Sequence, residues 1–366
     1  MIQNSPPLRV LVVDDSALYR KIVRDVLSSM PGVEVVGAAN NGVIALERIA
    51  SLRPDVVTLD LEMPQLDGHG VLKQLAGKPG APKAIMVSAF TAQGAQTTTA
   101  ALREGAFDFI LKPATKSLDM SIQQLRRDLA PKIEACRSMA TPSLRKAPAT
   151  AAPVRRTPAP PPRPVARRRV DLLPQIVAIG VSTGGPQALV RTLPKLPANF
   201  PCPIVIVQHM PAMFTASLAE DLNRRCSLNV SEGRHGQVVR RGDIVIAPGG
   251  KQMRIVRRDG ENIVEITDDP PERNCKPSVD YLFRSVAASH GGASLGVVLT
   301  GMGDDGTLGS QALREQGAQI LAQDQASCVV YGMPKAVIEA GLADVVAPLD
   351  TMAMTIVNHA RGGSRV

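Results

Sequence analysis

From Thr141 to Arg169 the chain consists largely of Pro, Ala, Arg and Thr, with eight prolines and no apolar periodicity. Such a stretch cannot bury enough apolar surface to offset the entropy of ordering it, so it predicts an extended, mobile, disordered linker. The 366 residues therefore divide into two parts, each long enough to fold around its own core. The expected boundaries are a first domain over residues 8–130, a helix end and linker over 131–170, and a second domain over 171–360. Charge follows the same division. The formal net charge is +9, but Arg145, Lys146, Arg155, Arg156, Arg163, Arg167, Arg168 and Arg169 supply eight positive charges with no acidic residue among them. The basicity belongs to the tether and does not point to nucleic acid. Aromatic residues are 2% of the chain with no Trp, which argues further against a base-stacking platform. No apolar run reaches the roughly 18 residues that span a bilayer, and Met1 to Pro7 lack the features of a signal peptide. A cytoplasmic chain without membrane insertion is expected. Five scattered cysteines, odd in number and never spaced C-x-x-C, read as reduced thiols.

The first domain alternates strand and helix patterns five times. Strands are expected at Leu8–Val13, Val33–Ala38, Val56–Asp60, Ala84–Val87 and Phe109–Leu111, with helices between them and from Ser117 onward. That is the pattern of a doubly wound, five-stranded parallel sheet. Polar residues cluster where its strands end: Asp14 and Asp15, then Asp60, Ser88, and Lys112 before Pro113. Carboxylates at such ends also serve as helix caps. Three of them at one edge repel unless a divalent cation lies among them, and hard oxygen donors suit Mg²⁺. A carboxylate beside Mg²⁺, with a hydroxyl and an ammonium nearby, can accept a phosphoryl group.

Val-Val-Asp14-Asp15-Ser, Leu59-Asp60-Leu-Glu-Met-Pro64, Asp67-Gly68, Ser88 and Leu-Lys112-Pro113 resemble the receiver domain of bacterial response regulators, over about residues 8–130. The resemblance implies a flavodoxin-like fold with Asp60 as phosphoacceptor and Asp14, Asp15 and Asp60 around Mg²⁺. It also implies Ser88 and Lys112 as phosphoryl contacts and Phe109 as the aromatic switch residue.

In the second domain, Ile176-Val-Ala-Ile-Gly-Val-Ser-Thr-Gly-Gly-Pro186 reads as a buried strand, a forced turn and a helix beginning near Gln187. Ser182 then sits at the carboxyl end of a strand, where open parallel sheets bind ligands and a helix N-terminus offers free N–H groups. Pro203 to His209 and Leu295 to Asp305 are strand-like runs ending in complementary groups. If the three strands adjoin, Ser182, His209 and one of Asp304 or Asp305 meet at a common edge. The same Ser-Thr-Gly-Gly turn would also suit a phosphate cradle. Asp243 to Gly250, with Gln252–Arg257 and Asn262–Thr267, reads as an antiparallel excursion on an otherwise Rossmann-like domain. No helix-turn-helix pattern follows the linker.

Gly180 to Pro186, Gln208-His209-Met-Pro211, Ala247-Pro-Gly249, Lys276-Pro-Ser-Val-Asp280, Thr300 to Gly306 and Gly332-Met-Pro334 together resemble the catalytic domain of the CheB methylesterase family. With the receiver and linker in the same order, the resemblance covers nearly the whole chain. It implies Ser182 as nucleophile, His209 as general base and then acid, and Asp305 as the residue orienting the imidazole. The implied substrates are glutamyl methyl esters, and also glutamines, on the cytoplasmic helices of methyl-accepting chemoreceptors. The implied phosphodonor is a chemotaxis histidine kinase. No cofactor is expected in the esterase site, and a monomer is expected. The backbone N–H groups at Thr183 and Met302 are candidate oxyanion donors. Asp304 stands where the family often carries Asn, so two adjacent carboxylates compete for the orienting role. Two rival readings are a receiver-regulated ligand-binding module without hydrolysis and a regulator using the basic linker on DNA.

Overall fold

The computed structural model describes residues 6–113, 117–140 and 172–362. The proposed linker lies outside them, apart from the helix end before it.

The first domain runs β1 (Leu8–Val13), α1 (Ala17–Ser28), β2 (Val33–Ala39), α2 (Gly42–Leu52), β3 (Val56–Asp60), α3 (Gly68–Leu75), β4 (Lys83–Ser88), α4 (Ala92–Arg103), β5 (Asp108–Leu111) and α5 (Leu118–Ala140). Its five strands are parallel in the order β2-β1-β3-β4-β5, as the alternation predicts. β3 is buried throughout, the mark of a strand covered on both faces. The helices start where a short polar side chain meets a free N–H: Ser16, Asn41, Asp67 and Thr91 each accept from the backbone N–H three residues on. Gly68 is set by close approach, because a Cβ there would lie 2.1 Å from the Asp60 carbonyl oxygen.

The second domain runs β6 (Ile176–Val181), α6 (Gly185–Thr192), β7 (Ile204–Gln208), α7 (Phe214–Asn223), β8 (Asn229–Glu232), β9 (Val238–Val239), β10 (Asp243–Ile246), β11 (Gln252–Arg258), β12 (Glu261–Thr267), α8 (Val279–His290), β13 (Ser294–Val298), α9 (Thr307–Glu315), β14 (Gln319–Gln323), α10 (Met333–Glu339), β15 (Val345–Ala347) and α11 (Leu349–Ala360). Seven strands form a parallel sheet in the order β15-β14-β13-β6-β7-β10-β8. The switch point falls at β6, flanked by β13 on one side and β7 on the other, so the three strands that end in Ser182, His209 and Asp305 adjoin. One expectation is corrected. Asp243–Ile246 is no part of the antiparallel excursion but pairs in parallel with β7 and β8. Its side chains Ile244, Val245 and Ile246 are fully buried, which places it inside the main sheet. The excursion consists of β11, β12 and the two-residue β9.

The two domains touch. α4 and β5 of the first lie against α6 and α7 of the second, with Phe109 stacked on Phe214 at 4.7 Å between ring centres and Arg103 3.0 Å from Asp221.

Candidate active site

Ser182 follows the last residue of β6, and its position is set by the backbone around it. Its N–H donates to the Thr300 carbonyl beyond β13, and its own carbonyl accepts from Gly185 N at 2.8 Å and Gln208 Nε2 at 3.0 Å. The turn needs both glycines. Gly184 caps α6 at φ +78°, and a Cβ on Gly185 would lie 1.9 Å from Gln208 Oε1. Ser182 Oγ makes no hydrogen bond among the described residues. It lines a cavity of about 330 Å³ together with Thr183, Gln208, His209, Cys275 and Met302. The backbone N–H groups of Thr183 and Met302 are likewise unengaged among the described residues.

His209 extends from the end of β7. Its Nε2 lies 2.8 Å from Asp305 Oδ2, while Nδ1 has Cys275 Sγ at 3.8 Å, and both His209 and Cys275 line the cavity. Asp305 is 3% exposed and sits on the N-terminus of α8. Its Oδ1 accepts from Ser278 Oγ at 3.0 Å and Asp280 N at 2.9 Å, and its Oδ2 accepts from Val279 N at 2.8 Å. Four donors and a helix N-terminus thus hold one carboxylate ionised. Burial alone would raise its pKa, but the His209 hydrogen bond and charge and these N–H groups bring it below the ordinary value. Burial works the other way on His209, lowering it, and is outweighed by the hydrogen bonds to Asp305 and Cys275, so the imidazole is pushed up to about 9. Asp304 turns outward into an exposed ion pair with Arg273. Of the two adjacent carboxylates, only Asp305 meets the histidine.

Two residues without an assigned role in the sequence reading build this edge. Asp280 is buried and accepts from the N–H groups of Gly306 and Gly309, which fixes the loop carrying Asp305. Thr300 donates to the Thr183 carbonyl at 3.0 Å. Both lie within motifs visible in the sequence, but Asp280 opens a helix and Thr300 carries no nucleophile, base or acid, so neither stands out as a functional group at a strand end.

In the first domain, Asp60 ends β3 and its Oδ2 lies 2.6 Å from Lys112 Nζ, which is also 3.1 Å from Asp14 Oδ2. Burial, then the charge of Asp14, push Asp60 up to about 6 against the pull of Lys112. Donor oxygens of Asp14, Asp15 and Asp60 lie within 4.8 Å of one another. Asp14 Oδ2 is buried with the Lys112 ammonium beside it, and the all-oxygen donor set of Asp14, Asp15 and Asp60 fits a hard cation such as Mg²⁺. Ser88 lines the adjacent cavity of about 160 Å³ with Asp60 and Lys112, and its Oγ accepts from Thr98 Oγ1 of α4 at 2.8 Å. Phe109 is not in this pocket but at the domain interface, 7% exposed.

The interface covers the serine edge. Asp108 Oδ2 accepts from Thr183 Oγ1 at 2.6 Å, next to Ser182, and Asp108, Phe109 and Leu111 are among the residues of β5 and α5 that line the 330 Å³ cavity from the first domain.

A parallel sheet with serine, histidine and aspartate at its carboxyl edge, covered by a five-stranded α/β domain with an acidic pocket, defines the class as a two-domain α/β enzyme of hydrolytic type. Comparison with known proteins specifies it further. Residues 177–356 match the model of the CheB methylesterase family, and residues 10–122 match the response regulator receiver domain. A protein-glutamate methylesterase/protein-glutamine glutaminase of Desulfotalea psychrophila is 47% identical over 96% of this chain and 98% of its own. One of Trichodesmium erythraeum is 45% identical over 97% and 99%. The crystal structure of the CheB methylesterase catalytic domain of Thermotoga maritima is 40% identical and covers 50% of this chain and 98% of its own, with a TM-score of 0.50. The chain belongs to the CheB methylesterase family.

Proposed function

We propose that this chain hydrolyses glutamyl methyl esters on chemoreceptor helices, and deamidates receptor glutamines, through Ser182, His209 and Asp305 under control of phosphorylation at Asp60. The observation that carries the reading is the buried Asp305 carboxylate bonded to His209 Nε2, with Ser182 in the same cavity. Because Nε2 is committed to Asp305, Nδ1 is the nitrogen left to take the Ser182 proton. Ser182 Oγ attacks the ester carbonyl and Nδ1 accepts its proton. Asp305 stabilises the imidazolium, and the N–H groups of Thr183 and Met302 meet the oxyanion. The imidazolium then protonates the leaving methoxide, or the leaving amine of a glutamine side chain, and water releases the glutamate by the reverse sequence.

Control follows from the cover. The receiver occupies the space that a bulky receptor helix needs above Ser182. Mg²⁺ held by Asp14, Asp15 and Asp60 would neutralise charge at the phosphoryl group, with Ser88 and Lys112 as its protein contacts. Ser88 is bonded to Thr98 on α4, the helix that also carries Arg103, so drawing Ser88 toward a phosphoryl oxygen loosens α4 on the second domain. Methanol release from methylated receptor membranes tests this. Ser182→Ala should abolish it while Asp60 still takes up phosphate. A fragment from Asp171 should be faster than the unphosphorylated whole chain, and Asp60→Asn should stay slow with any phosphodonor. Residual turnover in Ser182→Ala would refute the nucleophile. A fragment no faster than the intact chain would refute occlusion.

A further inference from the structure

We propose that His209 and Cys275 form an inhibitory site for a thiophilic divalent cation, with Zn²⁺ as the type case. Cys275 has no part in ester hydrolysis as derived above, yet its Sγ stands 3.8 Å from His209 Nδ1 and lines the same cavity. A tetrahedral zinc with bonds of about 2.05 Å to imidazole nitrogen and about 2.3 Å to thiolate holds those two atoms about 3.6 Å apart. The observed separation is therefore already close to the bite of one ion.

The third member of the cluster supplies a second, independent observation. Asp305 engages His209 through the other ring nitrogen, at 2.8 Å. A carboxylate accepting Nε2–H fixes the tautomer that presents a lone pair at Nδ1, the arrangement that supports metal-bound histidines. The two ring nitrogens diverge, so Asp305 is the outer partner and not a third ligand. The remaining coordination positions open on the cavity and fall to water, which makes the site reversible. Binding displaces the thiol proton to solvent, together with the Nδ1 proton wherever the imidazole is charged, and takes the Nδ1 lone pair so freed.

The functional consequence rests on His209 being the general base, whereas the binding does not. A bound ion takes the nitrogen that the proposed mechanism uses to accept the Ser182 proton, so it stops turnover without touching the nucleophile. Soft thiolate and imidazole donors separate this site from the all-oxygen cluster of Asp14, Asp15 and Asp60, which prefers Mg²⁺.

The test uses the full-length chain with Mg²⁺ in large excess, so that the carboxylate site is filled. Cd²⁺ titration should produce a thiolate-to-metal charge-transfer band in the ultraviolet that Cys275→Ser and Cys275→Ala each diminish by one thiolate, with the other four cysteines unchanged. His209→Gln should weaken the affinity read from that band at least tenfold. Inhibition of methanol release by Zn²⁺, each protein normalised to its own metal-free rate, should need at least tenfold more Zn²⁺ in Cys275→Ser. A band and inhibition indifferent to Cys275 would overturn the site. A Cys275-dependent band without inhibition would keep the metal site and overturn the role of His209 as base.

Discussion

Replacing Asp305 by Asn changes one atom, and its consequence follows from the four donors converging on the carboxylate. Ser278 Oγ and Asp280 N meet Oδ1, while Val279 N and His209 Nε2 meet Oδ2. An amide must point its NH₂ at one of these pairs. Toward Oδ1 it confronts the Asp280 N–H, an unsatisfied buried contact costing about 1–3 kcal/mol. Toward Oδ2 it confronts Val279 N–H, and His209 is driven to accept at Nε2 and carry its proton on Nδ1. That puts the proton on the nitrogen that must receive one from Ser182. Loss of the orienting anion in a serine triad costs roughly 10⁴-fold in kcat by this tautomer error.

Asp304→Asn breaks only an exposed pair with Arg273, worth about 0–1 kcal/mol, so its activity should fall by less than about fivefold. Methanol release measured at saturating receptor ranks the two variants, and nitrogen-15 chemical shifts of His209 report the tautomer. A loss under tenfold in Asp305→Asn, or a larger loss in Asp304→Asn, would refute the reasoning.

Arg103→Ala removes a half-buried ion pair across the domain interface without stranding Asp221, which keeps Arg224 and Arg225. A loss of about 1 kcal/mol should raise the activity of the unphosphorylated chain roughly fivefold and leave the phosphorylated rate unchanged; a lower unphosphorylated rate would contradict occlusion. His209 titrates at about 9 in the folded chain against an ordinary 6.5, so the folded state binds the proton more tightly. The resulting stabilisation is complete below about pH 6.5 and is lost as pH rises through about 9. Thermal midpoints should therefore fall more steeply between pH 7 and 9.5 in the parent than in His209→Gln, and parallel slopes would refute the pairing. Over the same window the unprotonated base accumulates, so kcat/KM should rise toward pH 9.

The receiver half was legible almost to the residue, since β1, β3, β4 and β5 are largely buried apolar runs closed by a polar side chain that caps or lines the pocket, and only the edge strand β2 is half-exposed. β3 begins and ends where the pattern puts it, and Asn41, Asp67 and the close approach of Gly68 leave little choice for where α2 and α3 begin. The catalytic half was legible at its three central strands for the same reason. It was misread at Asp243–Ile246, where a short strand next to an antiparallel hairpin carries no local mark of which sheet it joins. What decides is the long-range burial of Ile244, Val245 and Ile246 against neighbours distant in sequence.

The choice between Asp304 and Asp305 was open for a similar reason. Both lie in one loop, and only the docking of that loop on the α8 N-terminus, through Asp280 and the Gly306 and Gly309 N–H groups, turns one inward and the other out. The roll of Cys275 shows the same limit from the other side. Nothing in its spacing marks it, because its neighbour His209 is 66 residues away and the pair exists only once the loop before α8 has folded over the end of β7. Strand-end chemistry can be read from a sequence where each strand carries its own functional group. Where a group is brought to the site by a loop, the fold has to be in hand first.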